Sequence, residues 1–417
     1  MKDLLLLTHR IPWPPNKGDK IRSFHLLRYL AERYRVHLGT FVDDPEDLRY
    51  VSDVEAVCAS AFIAPLQPRR AKLRALTGLL TGAPLGLPYY SDRGLAQWVD
   101  ATIDTHGIDQ AVVFSSTMAQ YVASYPDLPR VVDLVDVDSE KWRQYASSRR
   151  LPMRWVYSRE GRRLLDFERR IAHEASAAVF VSDTEADLFR ALAPESAARV
   201  HAVHNGVDTG YFDPALSGHS PYPENGKVLV FTGAMDYWPN EDAVIWFTRS
   251  VFPLIRAAEP AARFFIVGRG PGRAVRALAQ EPGVTVTGGV PDMRPWLGHA
   301  AVAVAPLRVA RGVQNKVLEA MAMARPVVAT GPALSGIHAV EGQEVLCADD
   351  AETFARCVQE QLHCPDAALG QRARARVEQD YAWNACLGRL ESMLSPRRSD
   401  TPQLGAVPDA LEAGHGR

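Results

Sequence analysis

Lys316 and Glu319 stand three residues apart in RGVQNKVLEAMA, residues 311–322, where two charges interrupt an otherwise apolar run. The run follows a strand-like AVAVAPL and a turn-like RVARG, so a helix is predicted from about Val313 through Glu319 to Met323. Side chains three apart share one face of such a helix. A lysine near a helix N-terminus, with Arg311 beside it and Gly312 giving the chain room, is a natural seat for a diphosphate. A carboxylate only accepts hydrogen bonds, which suits the paired hydroxyls of a ribose. The plain alternative is a solvated Lys–Glu pair worth well under about 1 kcal/mol. Against it, VLEAMAMARPVVAT is apolar nearly all round, which predicts a mostly buried helix and a carboxylate that needs a partner.

Three further stretches have chemical potential. TGAMDYWPNEDAV, residues 232–244, leaves a strand through Gly233 and enters a helix near Asn240 or Glu241, so a ligand can approach the backbone and meet free N–H groups. GRGPGR, residues 268–273, is close to a dinucleotide fingerprint, but Arg273 replaces the third glycine and the turn follows the second strand of its unit rather than the first. A tight strand-to-helix turn and a turn against a base or phosphate are equally good readings of it. The loop HRIPWPPNKGDKIRS, residues 9–23, holds Lys17, Lys20 and Arg22 and suits a mobile segment closing over a phosphate or an acceptor, with a solvated loop as the alternative.

The elements that must position these residues alternate from the start. LLLLT reads as a strand and SFHLLRYLAERY as a helix capped by Ser23; VHLGTFV, AVVFSS, RVVDLVDV, AAVFVS and RVHAVHNGVD are further strand candidates before about residue 208. Residues 209–226 turn to Gly, Pro, Ser and Tyr and read as a linker. KVLVFTG, RFFIVG, VTVTG, AVAVAPL, RPVVATG and EVLCA then form a second strand series separated mostly by helical segments. The chain is thus α/β, with two tandem Rossmann-like domains, residues 1–208 and 227–375, and a ligand in the cleft between them. A helix at about 376–394 packs back on the first domain, and residues 395–417 lack periodicity and read as a disordered tail.

Composition narrows the partners. A chain of 417 residues with net charge −2 has no global attraction for nucleic acid, so a charged partner must meet a local patch. Five cysteines without a CxxC pair suggest neither a zinc site nor a disulfide framework, and no metal is expected. The four leucines after the N-terminus are too few for a signal-peptide core, and no apolar run is long enough to span a membrane, so a cytoplasmic protein is expected. PRRAKLRALTGLLTG, residues 68–82, combines four cations with leucines at helical spacing, as an interfacial helix does, and a second basic tract runs over residues 141–170. Solvated helix faces are the commoner cause of each.

VFVSDTEADLF, NGVDTGYFDP, VFTGAMDYWPNEDAV, FFIVGRGP, VTVTGGVPDMRPWL, APLRVARGVQNKVLEAMAMARPVVAT and the glycine of ALSGI, in this order, resemble the retaining family-4 glycosyltransferases of the GT-B fold. The resemblance runs from Leu4 to about Leu394, and the MDYWPN and GVQNKVLEAMA variants look more narrowly like the sugar transferases associated with exosortase and exopolysaccharide loci. It implies a nucleotide-diphosphate-sugar donor on the second domain and a glycan or lipid-linked acceptor on the first. Glu319 would bind the ribose and Lys316 the diphosphate; Arg269 and residues 287–290, Gly288 included, would line the base, and Gly18 with Lys17 and Asp19 the phosphate or acceptor side. Such enzymes are held to use neither a cofactor nor a dedicated protein nucleophile, so the protein's task is stabilising the leaving group.

Three departures bear on the site. Arg311 stands where the family has its first glutamate, so the sugar contact must come from elsewhere, for instance the backbone at Gly312, Val313 and Gln314. The loop after the second domain's first strand has Ala234 and WPN where a cation pair is often found. DLVDVDSEKW lacks the usual histidine and offers Asp136 and Asp138, either of which could hydrogen-bond the sugar or act as acceptor-side base. A GT-B nucleotide-sugar 2-epimerase and a non-catalytic nucleotide-sugar-binding protein are the rival readings.

Overall fold

Short apolar runs that alternate with amphipathic segments can bury both faces of a strand only if helices cover each side of a parallel sheet. The computed structural model, which describes residues 1–15, 18–147, 150–223, 227–310 and 312–394, has two such sheets. In the first unit the strands are β1 (Lys2–Thr8), β2 (Tyr34–Val42), β3 (Ser60–Pro65), β4 (Ala111–Phe114), β5 (Arg130–Val135), β6 (Ala177–Phe180) and β7 (Val200–Ala202). They lie in the order β3-β2-β1-β4-β5-β6-β7, all parallel. The second unit has β8 (Lys227–Thr232), β9 (Ala262–Val267), β10 (Val284–Gly288), β11 (Val302–Ala305), β12 (Val327–Ala329) and β13 (Leu346–Cys347), in the order β10-β9-β8-β11-β12-β13, again all parallel. In each unit the first strand lies at the point where the order reverses, which opens a crevice at the carboxyl edge.

All six strand expectations of the second unit coincide with its strands. In the first unit β3 was not anticipated: its sequence SAFIAP is short, alanine-rich and only partly buried at the sheet edge. The basic loop expected over residues 9–23 is corrected. A helix, Gly18–Ala31, begins five residues before Ser23, which is no cap; its Oγ donates to the Asp19 carbonyl at 2.9 Å inside the helix. Lys20 and Arg22 face inward and are almost fully buried. Lys20 Nζ donates to Asp47 and, at 3.2 Å, to the Trp13 carbonyl; Arg22 donates to Asp133 at 2.7 Å and to Asn205 at 3.0 Å. These cations are structural because their partners arrive from distant strands and loops. Lys17 lies outside the described residues, as do Arg311 and the tail at 395–417.

The terminal helix is also two helices. Ala367–Asp380 packs on Asn315–Ala322 in the second unit, whereas Trp383–Leu394 puts Trp383, Leu387, Leu390 and Leu394 into the core formed by Leu4, Leu6 and Leu26 of the first. Burying each side chain contributes about 1.5–3 kcal/mol, enough to hold the returning helix in place. Where the chain crosses between units it runs beside its earlier crossing: Val207 N donates to the Tyr381 carbonyl at 2.7 Å, and a Cβ on Gly206 would lie 2.6 Å from Trp383 Cα. The Gly/Pro-rich linker is anchored as well, since Tyr222 is buried among the second unit's core side chains and donates to the Trp296 carbonyl. No helix among the described residues is long and apolar enough to cross a membrane.

Candidate active site

Beyond the carboxyl ends of β8 and β9 the chain turns through Gly233 and Gly268, and the two turns touch backbone to backbone. Gly233 N donates to the Val267 carbonyl at 3.1 Å and Met235 N to the Arg269 carbonyl at 2.8 Å. A Cβ on Gly268 would fall 1.6 Å from the Gly233 oxygen, so only glycine fits there. The helix Trp238–Trp246 follows, with proline in its first turn, and β11 leads through Gly312, at φ 64°, to the helix Asn315–Ala322. These turns and helix starts enclose a cavity of about 520 Å³.

Eight of the anticipated residues line it: Gly233, Arg269, Gly289, Val290, Val313, Gln314, Lys316 and Glu319. Gly288 lies at its edge, accepting from Gly268 N at 3.0 Å, and its neighbours Gly289 and Val290 are in the wall. Gly312 precedes the lining residues by one position. Sequence reasoning missed the role of Asn240. Its amide is buried, donates through Nδ2 to the Ala234 carbonyl at 2.8 Å, and accepts at Oδ1 from Lys316 Nζ at 2.6 Å. The ammonium also lies 5.2 Å from the Phe231 ring centroid. An asparagine just behind a proline at a helix start was the available signal, but its partner is 76 positions away. Thr232, Gly268, Met293 and Asn315 also line the cavity and were not singled out.

The electrostatics are those of a polar site with few internal partners. Burial lowers Lys316 to about 8, with the Glu319 charge opposing, and raises Glu319 to about 7, with Lys316 opposing. The alternative of a surface Lys–Glu pair is not found: the two groups do not come within salt-bridge distance, and the Glu319 carboxyl has no hydrogen bond or ion pair among the described residues. Arg269 is exposed at the rim and is likewise free of ion pairs among them. A half-buried carboxyl lacking a partner beside a cation held by a neutral amide is a combination that favours a polar ligand.

Of the other site candidates that are described, Gly18, Asp19, Asp136 and Asp138 belong to the first unit and do not line this cavity. Gly18 opens its helix in free space, and Asp19 accepts from Arg10 at 2.8 Å and lies 3.5 Å from His9, which together hold its carboxyl well below the usual range. Asp136 and Asp138, beyond β5, share Lys141 at 2.8 and 3.0 Å. At the same sheet edge His9 stacks on Phe114 at 5.7 Å, and its buried Nδ1 has no partner among the described residues. Ser115, after β4, has φ 80°, an uncommon conformation outside glycine.

Residues 226–363 match the family described as Glycosyl transferases group 1. No curated protein matches the chain. Among solved structures it resembles a sucrose-phosphate synthase from Thermosynechococcus elongatus, at 18% identity and TM-score 0.62 over 94% of this chain and 98% of that one. It also resembles Anabaena Alr3699/HepE in complex with UDP, at 16% identity and TM-score 0.60 over 94% and 99%. WaaG, a glycosyltransferase involved in lipopolysaccharide biosynthesis, aligns at 16% identity and TM-score 0.56 over 94% and 100%. The chain therefore has the GT-B fold, and the second unit, which holds the cavity, matches the group 1 glycosyl transferases.

Proposed function

We propose that the protein is a retaining glycosyltransferase that moves a sugar from a nucleotide-diphosphate sugar to a lipid-linked glycan acceptor in bacterial exopolysaccharide synthesis, without metal or cofactor. The observation that carries this reading is the cavity's charge arrangement: Lys316 is held by the neutral amide of Asn240, and Glu319 has no partner among the described residues. In this reading the ammonium and the N-terminus of the Asn315–Ala322 helix receive the diphosphate, and Glu319 accepts from the ribose hydroxyls. Arg269 and the Gly288–Gly289 turn bound the base. As the glycosidic bond breaks, negative charge gathers on the diphosphate beside Lys316, so stabilisation increases towards the transition state. The leaving oxygen then takes the acceptor's proton on the same face. Lys17, Gly18 and Asp19 with Asp136 or Asp138 belong to the acceptor side. The match to the group 1 family supports a sugar donor, as do the structures of Anabaena Alr3699/HepE with UDP and glucose and with UDP-glucose.

The test is turnover: a panel of nucleotide sugars is incubated with bacterial lipid extract and nucleotide diphosphate release is followed. Acceptor-dependent release supports transfer; binding without release overturns the enzyme reading in favour of a nucleotide-sugar-binding protein, and release of an epimerised sugar favours an epimerase.

The acceptor's lipid places the first unit at a cytoplasmic membrane face. Leu73, Leu76 and Leu80 are 69%, 54% and 90% exposed and follow one stripe of the helices Pro68–Ala75 and Thr77–Thr81, flanked by exposed Arg69, Arg70 and Lys72. Arg159 donates to the Gly78 carbonyl at 2.5 Å, which brings the helix Met153–Glu174, with exposed Met153 and Trp155, alongside. Such a cationic, leucine-bearing face suits anionic lipid. Vesicle sedimentation checks it: serine at the three leucines should abolish binding to anionic vesicles, and absence of binding by the parent at low salt refutes it.

A further inference from the structure

Far from the cavity, at the amino-terminal edge of the first sheet, Asp3, His37 and His106 place three ligand atoms within 4.8 Å of one another. Asp3 on β1 and His37 on β2 project from the same face of the sheet, since Leu5 pairs with His37 and side chains alternate along a strand. The helix Arg93–His106 covers that face, and its last turn lays the His106 ring on that of His37 at 4.3 Å. His37 is buried and uses both nitrogens: Nε2 lies 2.8 Å from Asp3 Oδ1 and Nδ1 2.8 Å from Ser60 Oγ on β3. His106 is exposed, and its ring nitrogens hydrogen-bond to none of the described residues.

We propose that Asp3, His37 and His106 form a binding site for a zinc-class divalent ion, with water as the fourth ligand. Two imidazoles and a carboxylate select zinc, cobalt or nickel over magnesium and calcium. Metal–ligand distances of about 2.0–2.2 Å in a tetrahedron put ligand atoms roughly 3.4 Å apart. Asp3 and His37 therefore open by about half an ångström, and His106, in an exposed terminal turn, moves inward. On binding, Nε2 gives up the proton it shares with Asp3 and Nδ1 takes one, a change of tautomer of the neutral ring with no net release, so that Nδ1–H donates to Ser60, the kind of outer partner that fixes a ligating ring. Arg35 Nε, 3.6 Å from Asp3 Oδ1, opposes an ion there, but its side chain is mostly exposed and can turn into water. The ion would tie the covering helix to β1 and β2, a structural role.

Untagged full-length protein, freed of metal with chelator, is titrated with Co²⁺ and separately heated with Zn²⁺. One equivalent of cobalt with visible bands of tetrahedral intensity is expected, together with a raised Tm in zinc. His106→Ala, at an exposed position, should keep the parent Tm in chelator and lose both effects, while Ser60→Ala should weaken cobalt binding about 10–100-fold. Absence of cobalt binding by the parent, or equal affinity in His106→Ala, overturns the site, the latter by placing the metal on other histidines or cysteines.

Discussion

Replacing Asn240 with alanine tests whether the amide that holds Lys316 matters for the donor. The substitution removes the acceptor 2.6 Å from Lys316 Nζ and the donor 2.8 Å from the Ala234 carbonyl. A hydrogen bond to a charged group contributes about 1.5–3 kcal/mol, and each 1.4 kcal/mol is about tenfold in affinity. Lys316 keeps its charge in the variant and loses only its position, so the lower end applies and the donor nucleotide, for which UDP is the first probe, should bind roughly tenfold more weakly. Asn240→Asp goes further. It sets a carboxylate against the ammonium and repels the diphosphate, so a loss towards the upper end is expected, roughly 100-fold. Both variants leave the Ala234 carbonyl without its amide donor and should lose about 1–3 kcal/mol of stability. Calorimetric titration with UDP, alongside a urea melt, separates the two effects. If the alanine variant melts earlier yet binds UDP within twofold of the parent, or if the aspartate variant binds as well as the parent, Lys316 is not the diphosphate contact.

Three other outcomes are expected. Glu319, raised to about 7, must be ionised to accept from both ribose hydroxyls at once, and Lys316, lowered to about 8, must be protonated to meet a diphosphate. UDP affinity at the free protein should therefore rise with pH through about 7 and fall above about 8, and Glu319→Gln should remove the acidic limb; a flat profile by titration from pH 6 to 9 would contradict this. Gly268→Ala places a methyl 1.6 Å from the Gly233 oxygen, so the two turns must separate and UDP binding should be lost even where far-UV circular dichroism shows a folded chain. Asp47→Ala leaves the Lys20 ammonium buried without its carboxylate and should cost about 3–5 kcal/mol in urea unfolding, with UDP affinity of the folded fraction unchanged.

Legibility followed the distance over which residues find their partners. Strands of the second unit such as VLVF and FFIV carry their own signal, because burial on both faces demands a continuous apolar run and flanking glycines mark the ends. Lys316 and Glu319 were also legible, since one helical turn contains both. SAFIAP was not, because an edge strand needs less apolar surface than a central one. Lys20 and Arg22 read as part of a mobile loop over a ligand, or a solvated one, because nothing near them in sequence reveals Asp47 and Asp133, which lie 27 and 111 positions away. Asn240 was hidden for the same reason.

The partners of the cations separate scaffold from site. Lys20, Arg22, Arg10 and Lys141 each sit against one or more carboxylates, so their charge is spent within the fold. A pair of that kind fixes a loop or a helix but presents little field to a ligand. Lys316 differs because its partner is an amide: Asn240 orients the ammonium without neutralising it, and the desolvation that lowers its affinity for protons is relieved when an anion enters. Glu319 is the complementary case, a carboxyl pushed up by burial that regains its charge when hydroxyl donors arrive. Both groups are better satisfied by a ligand with a diphosphate and vicinal hydroxyls than by the protein groups around them. That difference directs part of the binding energy into restoring charges the fold holds at a disadvantage. It also explains why Lys20 and Arg22 of the first unit, cationic though they are, are the weaker candidates for the donor phosphates.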